Sequence, residues 1–448
     1  MFHKKNKRRR GKQESFSFRK IYPFPFSRNR RDGSPHLHTL KTEHNGLIQQ
    51  NPPLEWTVEA LLPTIKLAVY FGLLPVSIMT LHHANEKFVL YNFRWFSFRT
   101  FGTILLLFCL IVIETTALLY MVTGFYYSTK LETIELTTAG AAFYGYSVVS
   151  TIIFFRLATK LRHILDAWHQ SEAPLLLHLE NSDSYELLKG GPDNVSIKKQ
   201  KKINSRKSIY TAEDHFSLRV LESFSRRSHW FVYEQTKYAA WKGLSLVFIS
   251  FVATFIWNFT DLFIMIISLA LSTRFKQLNS KLRLVSGKAL SPKHWEGLRR
   301  QYASLSDLSR ILDDNLNGMT FFSIASNLYF ICIQLLSGLV TSTERTVDKS
   351  AFYFYSFGFL VGRAAAVILI ASSINQETLN TPKHLYSCPH YSYCKEQRFM
   401  MEVTTDSVAL SGLNLFNITR NFLLAVAGAV VTYEIVLLQF ETTNTNPS

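Results

Sequence analysis

At 448 residues the chain is long enough for two or three soluble domains, yet 47% of its residues are apolar, 14% aromatic and only 18% charged. Several apolar runs reach the length of about 20 residues that crosses a bilayer as a helix, which excludes a soluble multidomain protein and points to a polytopic helical membrane protein. The net charge of +17 is spread unevenly, with thirteen Lys or Arg among the first 41 residues.

That basic start lacks a following apolar core, so it does not read as a secretory leader. It has the charge of a nucleic-acid or nuclear-import segment. The apolar runs that follow favour a cytoplasmic membrane-protein tail obeying the positive-inside bias, with no nucleic-acid partner. Four cysteines make no disulfide framework. Cys109 and Cys332 lie in apolar runs, and Cys388 and Cys394 have no second pair to complete a zinc site, so no metal and no cofactor is expected. No nucleophile or phosphate-loop motif suggests catalysis.

In chain order, the first apolar segment, 59–82, is the weakest, because it carries Lys66, Pro63 and Pro75. Segments 100–125, 137–157, 241–273, 316–340, 351–375 and 413–440 are rich in Leu, Ile, Val and Phe, and no β-type alternation competes with them. If 59–82 crossed from a cytoplasmic tail, Lys87, Arg94 and Arg99, and then Arg156, Lys160 and Arg162, would fall outside, against the bias. A segment that only dips into the membrane or lies on its surface restores all of these flanks. Segment 241–273 is followed by Arg274, Lys276, Lys281 and Arg283, so it too should end inside. Two successive spans cannot both end inside. Between them, 163–240 holds Lys198, Lys199, Lys201, Lys202, Arg206, Lys207, Arg226 and Arg227 and reads as a solvated linker. By charge parity, one helix is missing.

The last segment closes on Thr432-Tyr433, five mostly apolar positions that include Glu434, and then Gln439-Phe440. An amide at the end of a membrane helix is costly unless it meets a partner, a cavity or water. This pattern resembles the C-terminal signature of the insect gustatory receptors. Thr260–Phe263, Ser326–Leu336 and Asp406–Gly412 running on to Asn417–Arg420 resemble the sugar-receptor branch of that family.

The resemblance implies an all-α insect chemoreceptor fold of seven transmembrane helices, preceded by a partly inserted segment, with a cytoplasmic N-terminus. Residues 100–125 resemble the first span and 137–169 the second with its cytoplasmic extension. Residues 241–285, 299–340, 351–378 and 413–440 resemble the fourth to seventh. The third span is missing, and the hydrophilic stretch 172–232 stands in its place. Either a wrong exon or retained intron replaced that helix, or the chain is a divergent member. The expected organisation is a basic tail (1–56), a partly inserted segment with two helices (57–169), the hydrophilic stretch (170–240), ligand-binding helices with cytoplasmic extensions (241–378), and a cytoplasmic anchor with the pore-lining helix (379–448).

In function the resemblance implies a sugar-gated, non-selective cation channel subunit in the plasma membrane of gustatory-neuron dendrites. It would work as a homo-tetramer or hetero-tetramer with related gustatory receptor subunits in the lipid bilayer. Gln439, Phe440 and Glu441 would then form rings at the pore, while Thr432 and Tyr433 pack against neighbouring helices. A sugar presents flat C–H faces and many hydroxyls, so its pocket combines aromatic plates with a few polar groups. The candidates are Trp257, Asp261, Asn327, Tyr329, Gln334 and Glu114, with Asn258, Tyr353 and Tyr355 beside them. Trp257 and Asp261 are four apart on one helix face. Asp261 and Glu114 are equally readable as structural partners of a buried amide or of Arg363. A G-protein-coupled receptor is the alternative signalling class, and a secondary transporter would show an internal repeat, which is absent here.

Overall fold

The computed structural model describes residues 56–83, 86–127, 131–177, 210–233, 236–286, 291–340, 347–386 and 393–445. The basic tail, residues 178–209 of the hydrophilic stretch and Cys388 lie outside them.

The first apolar segment divides. Helix α1 spans Trp56–Tyr70, fifteen residues, too short to cross a bilayer. After Gly72, whose φ of +74° suits a residue without a Cβ, the chain turns into strand β1, Val76–His83, which pairs antiparallel with β2, Glu86–Phe93. The sequence reading allowed no strand here. The β-branched and aromatic content of Val76-Ser77-Ile78 and Phe88–Phe93 suits a pleated pair, and the short run masked that signal. Val76 and Tyr91 are buried, so the hairpin packs as part of the core.

Five helices are long and apolar enough to span a membrane among the described residues. They belong to α2 (Phe98–Tyr127), α3 (Leu131–Leu177), α6 (Ala240–Val285), α7 (Pro292–Val340) and α8 (Val347–Leu385). At 1.5 Å per residue, the 47 residues of α3 run about 70 Å, more than twice the hydrocarbon thickness. The surplus of α3, α6, α7 and α8 therefore leaves the membrane. That of α6, α7 and α8 assembles with α9, Tyr393–Thr405, around buried aromatic rings. Tyr302 of α7 meets Phe275 of α6 at 6.2 Å and Phe399 of α9 at 5.8 Å, ring centre to ring centre. Arg299 pairs with Glu402 at 3.0 Å across α7 and α9. Asn279 of α6 donates to the Glu377 carbonyl at 2.7 Å and accepts from the Thr381 hydroxyl at 2.8 Å, which pins α8.

Between α3 and α6 the described residues hold α4, Tyr210–Ser228, and the short α5, Trp230–Tyr233. Helix α4 carries Glu213, Asp214, Arg219, Glu222, Arg226 and Arg227 and is no candidate span. It lies against α6. The turn after it docks on α2 and α3: Trp230 meets the Tyr120 ring at 4.2 Å, and Tyr144 and His229 share a 2.7 Å hydrogen bond. Phe231 is buried against Gly140. A polar, docked helix therefore occupies part of the stretch where a third span is expected.

The final apolar segment begins later than its composition suggests. Residues 411–417 form a small hairpin, β3 (Ser411–Gly412) and β4 (Phe416–Asn417), turned by Leu413 and Asn414 at φ of 50° and 58°. Ser411 donates its amide and its hydroxyl to the two Asp313 carboxylate oxygens at 2.6 and 2.8 Å, and the Leu413 amide donates to the Asn317 carbonyl at 3.2 Å. Helix α10, Arg420–Thr445, follows. Its entry is thus clamped to the middle of α7.

A Cβ at Gly412 would overlap the Phe416 ring, which itself stacks on Phe422 at 4.6 Å. Gly412→Ala is expected to destabilise by about 1–3 kcal/mol through overpacking. Gly102→Ala, inside α2 with nothing within 4 Å of the added methyl, should instead be neutral to stabilising, by up to about 1 kcal/mol. Thermal unfolding of the two purified variants checks the contrast.

Candidate functional site

The polar residues of the spanning helices do not scatter; most converge at one level of the bundle. Asp261 on α6 is 1% exposed and Arg363 on α8 is 9% exposed, and Arg363 Nε lies 3.1 Å from Asp261 Oδ2. The guanidinium spreads its two remaining nitrogens over two amides. Nη1 donates to Asn258 Oδ1 at 2.7 Å and Nη2 to Asn327 Oδ1 at 2.6 Å. Asn327 of α7 returns a bond through Nδ2 to Asp261 Oδ2 at 3.0 Å, and Ser323, one turn before it, donates to Oδ1 at 2.5 Å. Three helices are tied by two opposite charges and three short polar side chains. A lone charge in hydrocarbon is expensive, so each partner makes the other tolerable.

Trp257 forms the aromatic wall of this cluster. Arg363 Cζ lies 4.0 Å from the centre of its ring, a cation–π contact, while Phe330 of α7 and Phe143 of α3 flank it at 4.9 and 6.0 Å. The Trp257 Nε1 and Ser326 Oγ atoms are buried and have no hydrogen-bond partner among the described residues. Ser326 sits one turn from Phe330 on the same face of α7. Asn258, by contrast, is exposed, on the stripe of α6 that also exposes Phe251 and Leu262.

Of the six proposed sugar contacts, Trp257, Asp261 and Asn327 are brought together. Tyr329 is adjacent but turns toward α3, donating to Thr138 Oγ1 at 2.7 Å. Gln334 lies farther along α7, half-buried, its carbonyl accepting from Tyr353 at 2.9 Å. Glu114 stands apart on α2. Its carboxylate lies against Gly145 of α3, where a methyl group would come within 3.1 Å of Oε1, and Oε2 is buried with no hydrogen-bond partner among the described residues. Ser323, Ser326 and Phe330 were missed, because their positions resemble ordinary packing in an apolar helix. Arg363 had a visible signal as a lone cation inside an apolar segment.

The C-terminal motif lies on α10. Thr432 is exposed, its hydroxyl returning to the Gly428 carbonyl at 2.9 Å, whereas Tyr433 and Glu434 are half-buried. Gln439 is exposed. The side chains of Phe440 and Glu441 lie outside the described residues. A cavity of about 380 Å³ opens far from this motif, between α7 and α9, lined by Ser306, Asp307, Arg310, Glu402 and Asp406. Its charges are already committed: Asp406 accepts from Ser306 and from Arg310, and Glu402 pairs with Arg299.

A family model described as trehalose receptor matches residues 50–189 and 200–448. The chain belongs to this family. It is the sugar branch of the insect gustatory receptors, a family of chemosensory receptors and not enzymes. The gap in the match, residues 190–199, falls inside the hydrophilic stretch. The chain is 42% identical over 210 residues to the Drosophila melanogaster gustatory receptor for sugar taste 64f, a match covering 47% of the chain and 44% of that receptor. It is 27% identical over 427 residues to gustatory receptor for sugar taste 64a of the same fly, covering 90% and 89% of the two chains. With gustatory receptor 5a for trehalose, also from Drosophila melanogaster, identity is 36% over 47% of the chain and 46% of the relative. The chain thus spans less than half the length of two of these relatives and most of the third. Among solved structures, the olfactory receptor OR5 of Machilis hrabei shares the fold, with a TM-score of 0.56 and 12% identity over 86% of this chain and 99% of that one. The sugar-branch member described here is therefore a multi-pass membrane protein with the insect chemoreceptor fold.

Removing one charge of the central pair leaves the other buried and unpaired. Arg363→Gln is expected to cost about 3–5 kcal/mol. Asp261→Asn combined with Arg363→Gln should cost clearly less than the sum of the single changes. Thermal denaturation of the four proteins in detergent, arranged as a double-mutant cycle, gives the coupling directly.

Proposed function

We propose that this protein is a sugar receptor subunit of a ligand-gated, non-selective cation channel. Family membership supports the sugar, since the relatives at 42% and 36% identity are named for sugar taste and for trehalose. The fold shared with the olfactory receptor supports the channel architecture. The observation that carries the reading is the polar cluster at Trp257, with the Asn258 amide exposed at its edge. A sugar hydroxyl arriving at the exposed Asn258 side can accept from Arg363 Nη1 in place of the Asn258 amide. Once Arg363 is drawn off the Trp257 ring, a second hydroxyl can accept from the buried, unpartnered Nε1, while a C–H face lies on neighbouring aromatic carbon. Drawing Arg363 toward the ligand changes its hold on Asp261 and Asn327, and with it the seating of α8 on α6 and α7.

In this reading the movement reaches α10 through α7, to which the 411–417 hairpin is clamped by Asp313. Four copies of α10 around one axis enclose the pore, with Gln439, Phe440 and Glu441 near its constriction. Partners are related gustatory receptor subunits in a homo-tetramer or hetero-tetramer. The protein resides in the plasma membrane of gustatory-neuron dendrites, with its N-terminus in the cytoplasm.

The test is electrical. Expressed with a related sugar-receptor subunit in cells lacking taste G-protein signalling, the protein should give sugar-evoked cation currents within the time of ligand exchange. Surface expression without any current, where the companion subunit is demonstrably competent, would sink the channel reading. Trp257→Phe keeps the packing but deletes the Nε1–H donor. It should raise the half-maximal sugar concentration about tenfold or more without lowering surface expression. Gln439→Lys should instead reduce cation current at an unchanged half-maximal concentration.

A further inference from the structure

Helix α2 is the least covered of the spans, with 17% of its apolar window buried inside the bundle. Its outer face, including Ile104, Leu105, Phe108, Ile111 and Val112, is therefore lipid-facing. At the N-terminal end of that face the composition changes abruptly. Trp95, Phe96, Phe98 and Phe101 are all largely exposed, with Phe96 and Phe98 almost wholly so. Exposed aromatic rings at the end of a lipid-facing stripe mark the headgroup level of a bilayer, where an amphipathic ring has one apolar and one wet side.

Cations are interleaved with these rings. Arg94 and Arg99 are exposed within the same stretch, and the Arg94 carbonyl is held by the Thr100 hydroxyl at 2.7 Å, so the lead-in to α2 is fixed. Trp95 also touches Phe155 of α3 at 5.9 Å between ring centres. The next residue on that helix is Arg156, and Lys160 follows one turn later on the same face, both exposed. Arg99 spends one nitrogen on the Val76 carbonyl at 2.5 Å. Among the described residues none of these four cations belongs to an ion pair. Surface cations left unpaired by protein, on the lead-in and first turn of α2 and on the adjoining α3, complement phosphodiester and carboxylate groups at headgroup depth.

We propose that the junction of α2 and α3, built on Arg94, Trp95, Arg156 and Lys160, is a binding site for the headgroups of anionic phospholipids. The rings set the depth and the cations select the charge. Occupation ties the start of α2 and the middle of α3 to the membrane surface, independently of the sugar site.

The test uses the full chain reconstituted in bilayers containing spin-labelled phosphatidylserine or spin-labelled phosphatidylcholine, and reads the fraction of lipid immobilised at the protein. The native protein should select phosphatidylserine by about fivefold or more, the scale expected for even one fixed cation at the surface. Arg94→Gln, Arg156→Gln and Lys160→Gln together should bring the ratio close to one while leaving thermal unfolding unchanged. Millimolar inorganic phosphate should not displace the lipid, because the site requires a headgroup anchored at that depth. Equal immobilisation of both lipids by the native protein would overturn the proposal, as would a triple variant that keeps its selectivity. Displacement by phosphate would show a soluble-anion site and overturn the lipid assignment. If the triple variant fails to fold, the native protein decides alone: its selectivity must fall as salt rises to molar concentration, and a salt-insensitive ratio contradicts the site.

Discussion

The contact between Arg363 and Asp261 is the constraint around which the membrane part of this receptor is arranged. Neither charge is tolerable alone inside apolar helices, so α8 and α6 are bound to one another by necessity rather than by general packing. The demand spreads. The guanidinium has more donors than one carboxylate can accept, and Asn258 and Asn327 take the rest. Asn327 and Ser323 then complete the carboxylate from α7. Because α7 also holds the Ser411 hairpin through Asp313, the last helix inherits its position from the same three-helix unit. The cluster fixes register where lipid-facing Leu and Phe could slide.

Much of this was legible in the sequence, for reasons that differ by residue. The spans were visible as apolar runs, and the flanking charges favoured a 59–82 segment that does not cross; the helix formed there, α1, has fifteen residues. Arg363 and Asp261 were visible as charges inside apolar segments, and their mutual pairing was one of the readings their chemistry allowed. The closing of the network was not legible. It depends on Ser323 and Asn327 being four apart on α7 and on that face meeting α6, which is a property of packing. The hairpin at 76–93 was hidden because its strand residues are as apolar as a helix of the same length. The turn at Leu413 and Asn414 was only partly hidden: Asn accepts a positive φ readily, whereas nothing about Leu413 announces one. Glu114, grouped with the site as a charge inside an apolar segment, lies apart from the cluster, against Gly145 of α3.

The stretch between α3 and α6 contributes a polar helix and a docked aromatic turn. Helix α4 there is charged along its length, yet the turn after it is seated with care on Tyr120, Tyr144 and Gly140. The docked aromatic turn is therefore compatible with the fold, while the polar helix before it is a poor lipid neighbour. The family match runs through both sides of this stretch and breaks only at 190–199.

The most direct measurement of this account is the charge state of Asp261 in the assembled protein. An isotope-edited infrared difference spectrum between the native receptor, labelled at aspartate carboxyl carbon, and Asp261→Asn isolates this one group. An ion pair with Arg363 predicts that the lost band is that of an ionised carboxylate, and that Arg363→Gln shifts or abolishes it. A protonated carboxylic acid band in the native protein, unaffected by Arg363→Gln, would contradict the central role given to the pair.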